Sequence, residues 1–262
     1  MLTERGTDRL QRVLGFLRAA DAGASTRCTP LPFGTANFHD ELPHVWDRNF
    51  VLVESGAGEI DADSLTRATD ELQGSAGLAH RKLVFEDEGL GARLAPGLVA
   101  LGWEQRRLSL MVHDGEIDEA AVAASRDASE VDREALEPAM VRLLQTELHG
   151  RESEAARELV RADAPLGLFL SQRCFARLVA GEVAGYCRLY ARDGLGQIED
   201  VATLPHWRGR GFARAVVSRA LVESRQQDLT FLTAVHGRWV ERWYERLGFE
   251  QISLRYEFTK HV

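Results

Sequence analysis

Residues 198–213 constrain this chain more than any other stretch: Ile198-Glu199-Asp200-Val201-Ala202-Thr203-Leu204-Pro205-His206-Trp207-Arg208-Gly209-Arg210-Gly211-Phe212-Ala213. An apolar strand runs into a turn rich in glycine and arginine. A helix follows at once, with Phe212, Val216, Val217, Ala220 and Leu221 on one face. The first N–H groups of a helix have no partner within it, and its aligned peptide dipoles favour negative charge there. Gly209 and Gly211 let the chain bend and let a phosphate approach the backbone without meeting a Cβ. Arg208, Arg210 and Arg214 add charge and forked donors suited to phosphate oxygens. The stretch reads as a seat for a diphosphate. It is neither a Walker loop, since no Gly-Lys-Ser/Thr follows, nor the Gly-x-Gly-x-x-Gly dinucleotide turn.

The remaining bulk properties exclude several classes. A length of 262 residues leaves room for one large or two small domains. A net charge of −8 argues against a general nucleic-acid surface. Cys28, Cys174 and Cys187 are scattered and odd in number, with no C-x-x-C, which argues against a disulfide framework and a structural zinc site. The start, Met1 to Arg5, leads into an amphipathic pattern with no apolar signal core, and no apolar run approaches a membrane span. A soluble cytoplasmic protein without a membrane partner is expected. The cluster His39-Asp40-Glu41-Leu42-Pro43-His44 lies in a loop between Pro32 and Pro43 and lacks a H-E-x-x-H helix, so no metal site is expected there.

Arg208, Gly211 and Ala213 match the Arg/Gln-x-x-Gly-x-Gly/Ala signature of the GNAT N-acetyltransferases, and downstream Trp243-Tyr244-Glu245-Arg246-Leu247-Gly248-Phe249-Glu250 resembles that family's closing Tyr-x-x-Leu-Gly-Phe helix-to-strand signature. A strand, Leu229 to Val235, separates the two motifs, and the resemblance covers roughly the second half of the chain. It implies a mixed α/β fold: a mostly antiparallel sheet flanked by helices.

The pattern from Asp132 onward suits that fold. Helices are expected at Pro138–His149 and Glu152–Ala162, the first opened by its proline. Strands are expected at Gln172–Val179 and Val183–Tyr190, joined by a short hairpin turn, then at Gly196–Thr203. After the glycine-rich turn and its helix come the strand Leu229–Val235, a helix Arg238–Leu247 and a last strand near Ile252–Phe258. The first half holds a faint copy of the second. Leu101-Gly102-Trp103-Glu104-Gln105 reads against Leu247-Gly248-Phe249-Glu250-Gln251 at a constant offset (248 − 102 = 146), which also sets Leu83-Val84-Phe85 against Leu229-Thr230-Phe231. Phe50–Val53 would stand for the strand before the turn and Ser64–Leu72 for its helix. A tandem duplication follows, with a degenerate N-terminal domain at 1–115 and the GNAT domain at 130–262. The linker, Gly115 to Arg133, is helical or mobile. The first copy's turn, Ser55 to Asp61, has lost the arginines and gained Glu59 and Asp61, and Leu98 stands where Tyr244 does, so that lobe is expected to bind no coenzyme.

The resemblance implies acetyl-CoA as co-substrate, without a metal. Its pantetheine arm would bond the strand backbone at Val201, Ala202 and Thr203, and its diphosphate would sit at Arg208, Gly209, Arg210, Gly211, Phe212, Ala213 and Arg214. Tyr244 stands where the family places a hydroxyl near the coenzyme sulfur; a phenol, with a reference pKa of about 10, stays protonated and can donate to a thiolate. Glu199 is the candidate base, because a carboxylate in a central strand is either paired or functional; His206 and His236 are its rivals, the latter more simply a helix cap. An asparagine that many members carry seven residues before the tyrosine is Gly237 here (244 − 7 = 237), with His236 or Arg238 as replacements. The loop at His39–His44, with Trp46 and Trp103, would border the acceptor cleft.

These residues together point to direct acetyl transfer from acetyl-CoA to a primary amine of a small molecule in a ternary complex. A protein amine acceptor and a non-catalytic coenzyme A-binding or regulatory role are the alternatives, and homodimerisation stays open.

Overall fold

The computed structural model describes residues 4–54, 56, 59–147, 153–162 and 166–262. In chain order its elements begin α1 (Glu4–Gly23), β1 (Arg27–Leu31), β2 (Gly34–Phe38), β3 (Phe50–Val53), α2 (Ala62–Ser75), β4 (His80–Phe85), α3 (Glu88–Ala100) and β5 (Glu104–His113). They continue with α4 (Glu119–Ser125), β6 (Ser129–Val131), α5 (Arg133–Glu147), α6 (Ser153–Arg161), α7 (Leu166–Phe169), β7 (Ser171–Val179) and β8 (Glu182–Arg192). The last are β9 (Leu195–Thr203), α8 (Phe212–Glu223), β10 (Leu229–Val235), α9 (Trp239–Glu245) and β11 (Glu250–His261). They form two compact units. One comprises Met1–Met111, Thr233–Arg242 and Gln251–Val262; the other comprises Val112–Leu232 and Trp243–Glu250.

In the first unit the strand order is β1-β2-β3-β4-β11-β5. β11, which the sequence reading gives to the domain at 130–262, lies in this unit. β11 runs antiparallel to β4, from Tyr256↔Phe85 to His261↔His80. Its alternate residues Leu254, Tyr256 and Phe258 join Leu83, Phe85 and Leu98 in one core. The other set of alternate residues carries charge. Glu86 pairs with Arg18 of α1, Arg255 lies 3.4 Å from Asp21 of α1, and Lys82 pairs with Asp47 and lies 3.7 Å from Glu257. Trp103 belongs to the apolar core, where its Nε1 donates to Thr66 Oγ1 at 3.1 Å, so it does not border a cleft. Trp46 stacks on His80 with ring centroids 4.9 Å apart.

The second unit has the order β10-β9-β8-β7-β6, antiparallel except for β9 and β10. Tight turns at Ala180-Gly181 and Asp193-Gly194, all four residues at positive φ, join β7 to β8 and β8 to β9. Leu136, Met140 and Leu143 of α5 and Val160 of α6 pack against Cys174, Ala176 and Tyr186. That spacing starts α5 at Arg133, five residues before the expected proline; Pro138 lies inside the helix, and Arg133 pairs with Glu137. The expected ends at His149 and Glu152 lie outside the described residues. α8 packs on β8 and β9 through buried Val216, Val217 and Ala220, while Phe212 is only half-buried. The linker is structured: Asp118 caps α4, which packs on α8, and β6 pairs with β7 from Ser129↔Ala176 to Val131↔Cys174. Among the described residues, no helix is long and apolar enough to cross a membrane.

The two lobes share features of backbone geometry. Trp103 N–H donates to Leu98 O and Gly102 N–H to Val99 O; Phe249 N–H donates to Tyr244 O and Gly248 N–H to Glu245 O. Each pair is a Schellman ending with glycine in the left-handed region, φ 85° at Gly102 and 90° at Gly248. β3 and β4 are parallel, as are β9 and β10, with α2 and α8 as the respective crossovers.

Candidate functional site

The turn before α8 has the shape its glycines require. Gly209 and Gly211 have φ of 76° and 80°, and a Cβ at either would meet nothing within 4 Å. Conformation, not crowding, selects glycine here, and the open space leaves the backbone accessible. Gly211 is the N-cap of α8 and supplies no side chain to the first helical N–H groups, of Phe212, Ala213 and Arg214. Arg208, Arg210 and Arg214 are exposed around it. Aromatic contacts that the sequence did not reveal brace the turn: the Arg210 guanidinium sits 4.8 Å from the Trp207 ring centroid, and Trp207 leans on Phe212 at 6.1 Å. Arg208 Nε donates to Thr203 O at 3.2 Å, tying the turn back to β9. An anion of diphosphate size fits this arrangement chemically.

The first lobe shows the contrast. Ser55, Ala57 and Gly58 of its turn lie outside the described residues. At the helix start, however, Asp61 caps α2, its carboxylate accepting from Ser64 N–H at 2.7 Å. The carboxylate occupies the place an anion would take.

β9 separates from β10 next to the turn. Their parallel pairing covers Leu195, Gly196 and Gln197 against Leu229, Thr230 and Phe231, and among the described residues goes no further. β8 stays beside β9 as far as Gly185↔Thr203. Val201, Ala202 and Thr203 thus have β8 on one edge and no β10 pairing on the other. A bulge precedes them: Tyr186 faces Ala202, yet Arg188 faces Glu199, so β9 carries one extra residue. Asp200 sits there at φ 54°. It forms an ion pair with Arg188, which is 2% exposed.

Tyr244 is 5% exposed, its ring against Trp243 at 4.9 Å and Phe249 at 5.7 Å. Burial pushes its hydroxyl pKa well above the ordinary tyrosine range, and the negative charge of Glu199 adds to the shift. That coupling brings the two expected catalytic residues into one electrostatic neighbourhood. Glu199 is half-buried and accepts from Gln197 Nε2. Cys187 is fully buried and its thiol is pushed far up by desolvation, so it is inert as a nucleophile.

The rival bases fare differently. His206 is exposed, its ring 5.0 Å from Trp207. His236 belongs to a cluster in the first unit: its Nδ1 lies 3.0 Å from both Ser109 Oγ and Glu241 Oε1, and Ser109 also donates to Glu241. The helix-capping group there is Glu241 rather than His236, accepting from Gly237 N–H at 2.8 Å. Burial opposes ionisation of Glu241, but the bonds to Ser109, Gly237 and His236 together outweigh it and hold the carboxyl below its usual range. Gly237 has φ 73°, a conformation asparagine tolerates but glycine adopts freely. His39 is buried in the first unit; among the described residues no group of three His, Cys, Asp or Glu side chains is arranged to hold a metal ion.

Residues 138–249 match the acetyltransferase (GNAT) family. Among solved structures the chain is similar to a functionally unknown conserved protein from Staphylococcus epidermidis, with a TM-score of 0.68 and 12% identity, over 89% of this chain and 92% of that one. It is also similar to a GCN5-related N-acetyltransferase from Kribbella flavida, with a TM-score of 0.54 and 20% identity, over 93% and 94% of the two chains. A GCN5-related N-acetyltransferase-like protein from Streptococcus suis gives a TM-score of 0.52 at 20% identity, over 81% and 79%. At such identities these likenesses speak to fold alone. No curated protein matches the chain.

Proposed function

We propose that this chain, whose residues 138–249 match the acetyltransferase (GNAT) family, transfers an acetyl group from acetyl-CoA to a primary amine of a small molecule, by direct transfer in a ternary complex. The observation that carries the reading is the uncapped start of α8 beside the open edge of β9, with Tyr244 and Glu199 electrostatically coupled in the same unit.

The coenzyme would supply an activated acetyl thioester. Arg208, Arg210 and Arg214, with the backbone N–H groups from Gly209 to Arg214, would hold its diphosphate. The backbone edge at Val201, Ala202 and Thr203 that has no β10 pairing would take the amides of its pantetheine arm and fix their direction. Glu199 would accept a proton from the ammonium form of the acceptor, directly or through water, since only the neutral amine has a free electron pair. As the new C–N bond forms and the thioester C–S bond breaks, Tyr244 would give its proton to the departing sulfur, and the second proton lost from the amine nitrogen would restore the phenol. Its raised pKa keeps that proton in place across the working range, and burial excludes competing water.

Release of free thiol from acetyl-CoA in the presence of a panel of small primary amines tests this reading. An amine-dependent rate that falls by a hundredfold or more in Tyr244→Phe is expected, general-acid catalysis contributing about 10²–10⁴-fold. No amine-dependent release, with coenzyme still bound, favours the non-catalytic alternative.

A further inference from the structure

Asp200 adopts a left-handed backbone (φ 54°) inside β9, where a residue with a Cβ seldom goes without compensation. Asp tolerates that region better than most residues, but tolerance does not explain why the strand departs from regular pairing there. The register supplies the reason. Without the bulge, Arg188↔Glu199 would continue as Cys187↔Asp200, placing Asp200 on the face of the sheet away from Arg188. With it, Asp200 turns to the side of Arg188 and the two form an ion pair. An arginine 2% exposed cannot shed its charge, so it requires a counter-charge close by. The ion pair and the bulge are therefore one device.

Its consequences fall on the residues that follow. Glu199 immediately precedes the inserted residue and stands opposite Arg188 with or without it. Val201, Ala202 and Thr203 immediately follow, and each would point to the opposite face in an unbulged strand.

We propose that Arg188 and Asp200 are a positioning pair that holds the β9 bulge and so presents the Val201–Thr203 edge. The catalytic consequence rests on the acetyltransferase reading; the structural one does not. Neither residue is assigned contact with the reacting atoms.

The test is the double variant R188M/D200N, which removes both charges and leaves no buried cation without a counter-charge, while Asn keeps tolerance of the left-handed region. Expected are a melting temperature within a few degrees of the parent, a KM for acetyl-CoA raised tenfold or more, and kcat lowered tenfold or more. A purely structural role would reduce the folded fraction and leave the KM of the remainder unchanged. R188K, which keeps a cation on Asp200, is expected to stay within about threefold of the parent KM. Where the double variant fails to fold, R188Q replaces it, because the Asp200 side chain is 32% exposed and water can solvate it; the same kinetic changes are expected. A crystal structure of the folding variant reads the structural arm independently, with Cys187 facing residue 200 and φ at 200 returned to negative values. Parent-like KM and kcat, or a retained bulge in that structure, overturns the proposal. Should the parent neither bind acetyl-CoA nor release thiol, the acetyltransferase reading fails, while the crystal structure still decides the role of the pair.

Discussion

The backbone N–H of Phe249 donates to the carbonyl of Tyr244 at 3.1 Å, closing the helix that carries the phenol. Gly248 between them makes this ending, and there a Cβ would come within 3.0 Å of His113 Nε2. At Gly102, the matching glycine of the first lobe, the nearest atom is Lys260 Cε at 4.0 Å. Gly102→Ala should therefore cost about 1 kcal/mol, the conformational penalty alone. Gly248→Ala should cost roughly another 1 kcal/mol, because His113 has to shift. Calorimetric melting of the two variants checks the order, with about 2–4 °C expected per kcal/mol.

A second expectation concerns pH. Tyr244 acts protonated, and burial raises its pKa, so activity is lost only when pH climbs through that raised value. The kcat profile should thus show no alkaline fall near pH ~10, where an ordinary tyrosine ionises. An alkaline limb centred on the ordinary value would remove Tyr244 from the acid role.

Gly211→Asp should convert the second lobe's helix start into a likeness of the first. There the Asp61 carboxylate already accepts from Ser64 N–H. Space is available at Gly211 and Asp tolerates its backbone conformation, so the variant should fold, its melting point without ligand moving by only a few degrees. Its affinity for acetyl-CoA should fall a hundredfold or more, from charge conflict with the diphosphate and loss of open N–H groups. Equilibrium titration measures both. The converse change, Asp61→Ala, should lower stability through loss of a cap and leave acetyl-CoA affinity unaltered.

Phe258→Ala tests the exchange of the C-terminal strand into the first unit. Phe258 is fully buried against Phe85, with ring centroids 5.5 Å apart. About 3–5 kcal/mol of destabilisation is expected. Amide hydrogen exchange should accelerate in β3, β4 and α2, since that is the core the residue enters.

Much of the second unit was legible because its signals are local. Alternation gave β7 to β9, Leu229–Val235 was bounded as found, and Gly209 and Gly211 carry the positive φ that their turn demands. Helical periodicity from Leu136 outweighed the proline that had suggested a later start to α5. What escaped is non-local. Nothing in the run Leu254–Phe258 announces that its apolar side packs with Leu83 and Phe85, because alternation defines a face but not a partner. Trp103 reads as a cleft residue or a core residue equally well until its Nε1 finds Thr66. The bulge at Asp200 likewise depends on Arg188, twelve residues earlier on the neighbouring strand (200 − 188 = 12).

The most direct measurement is thermal melting of the purified protein with and without acetyl-CoA, followed by the same pair for Gly211→Asp. Ligand at about one hundred times its dissociation constant adds roughly 2.7 kcal/mol, which for a chain of this length is a rise of about 5–10 °C. A rise of that order in the parent, absent in Gly211→Asp, is the predicted result. An unshifted parent at millimolar acetyl-CoA, or an equal rise in both proteins, would contradict the assignment of the α8 turn as the coenzyme site.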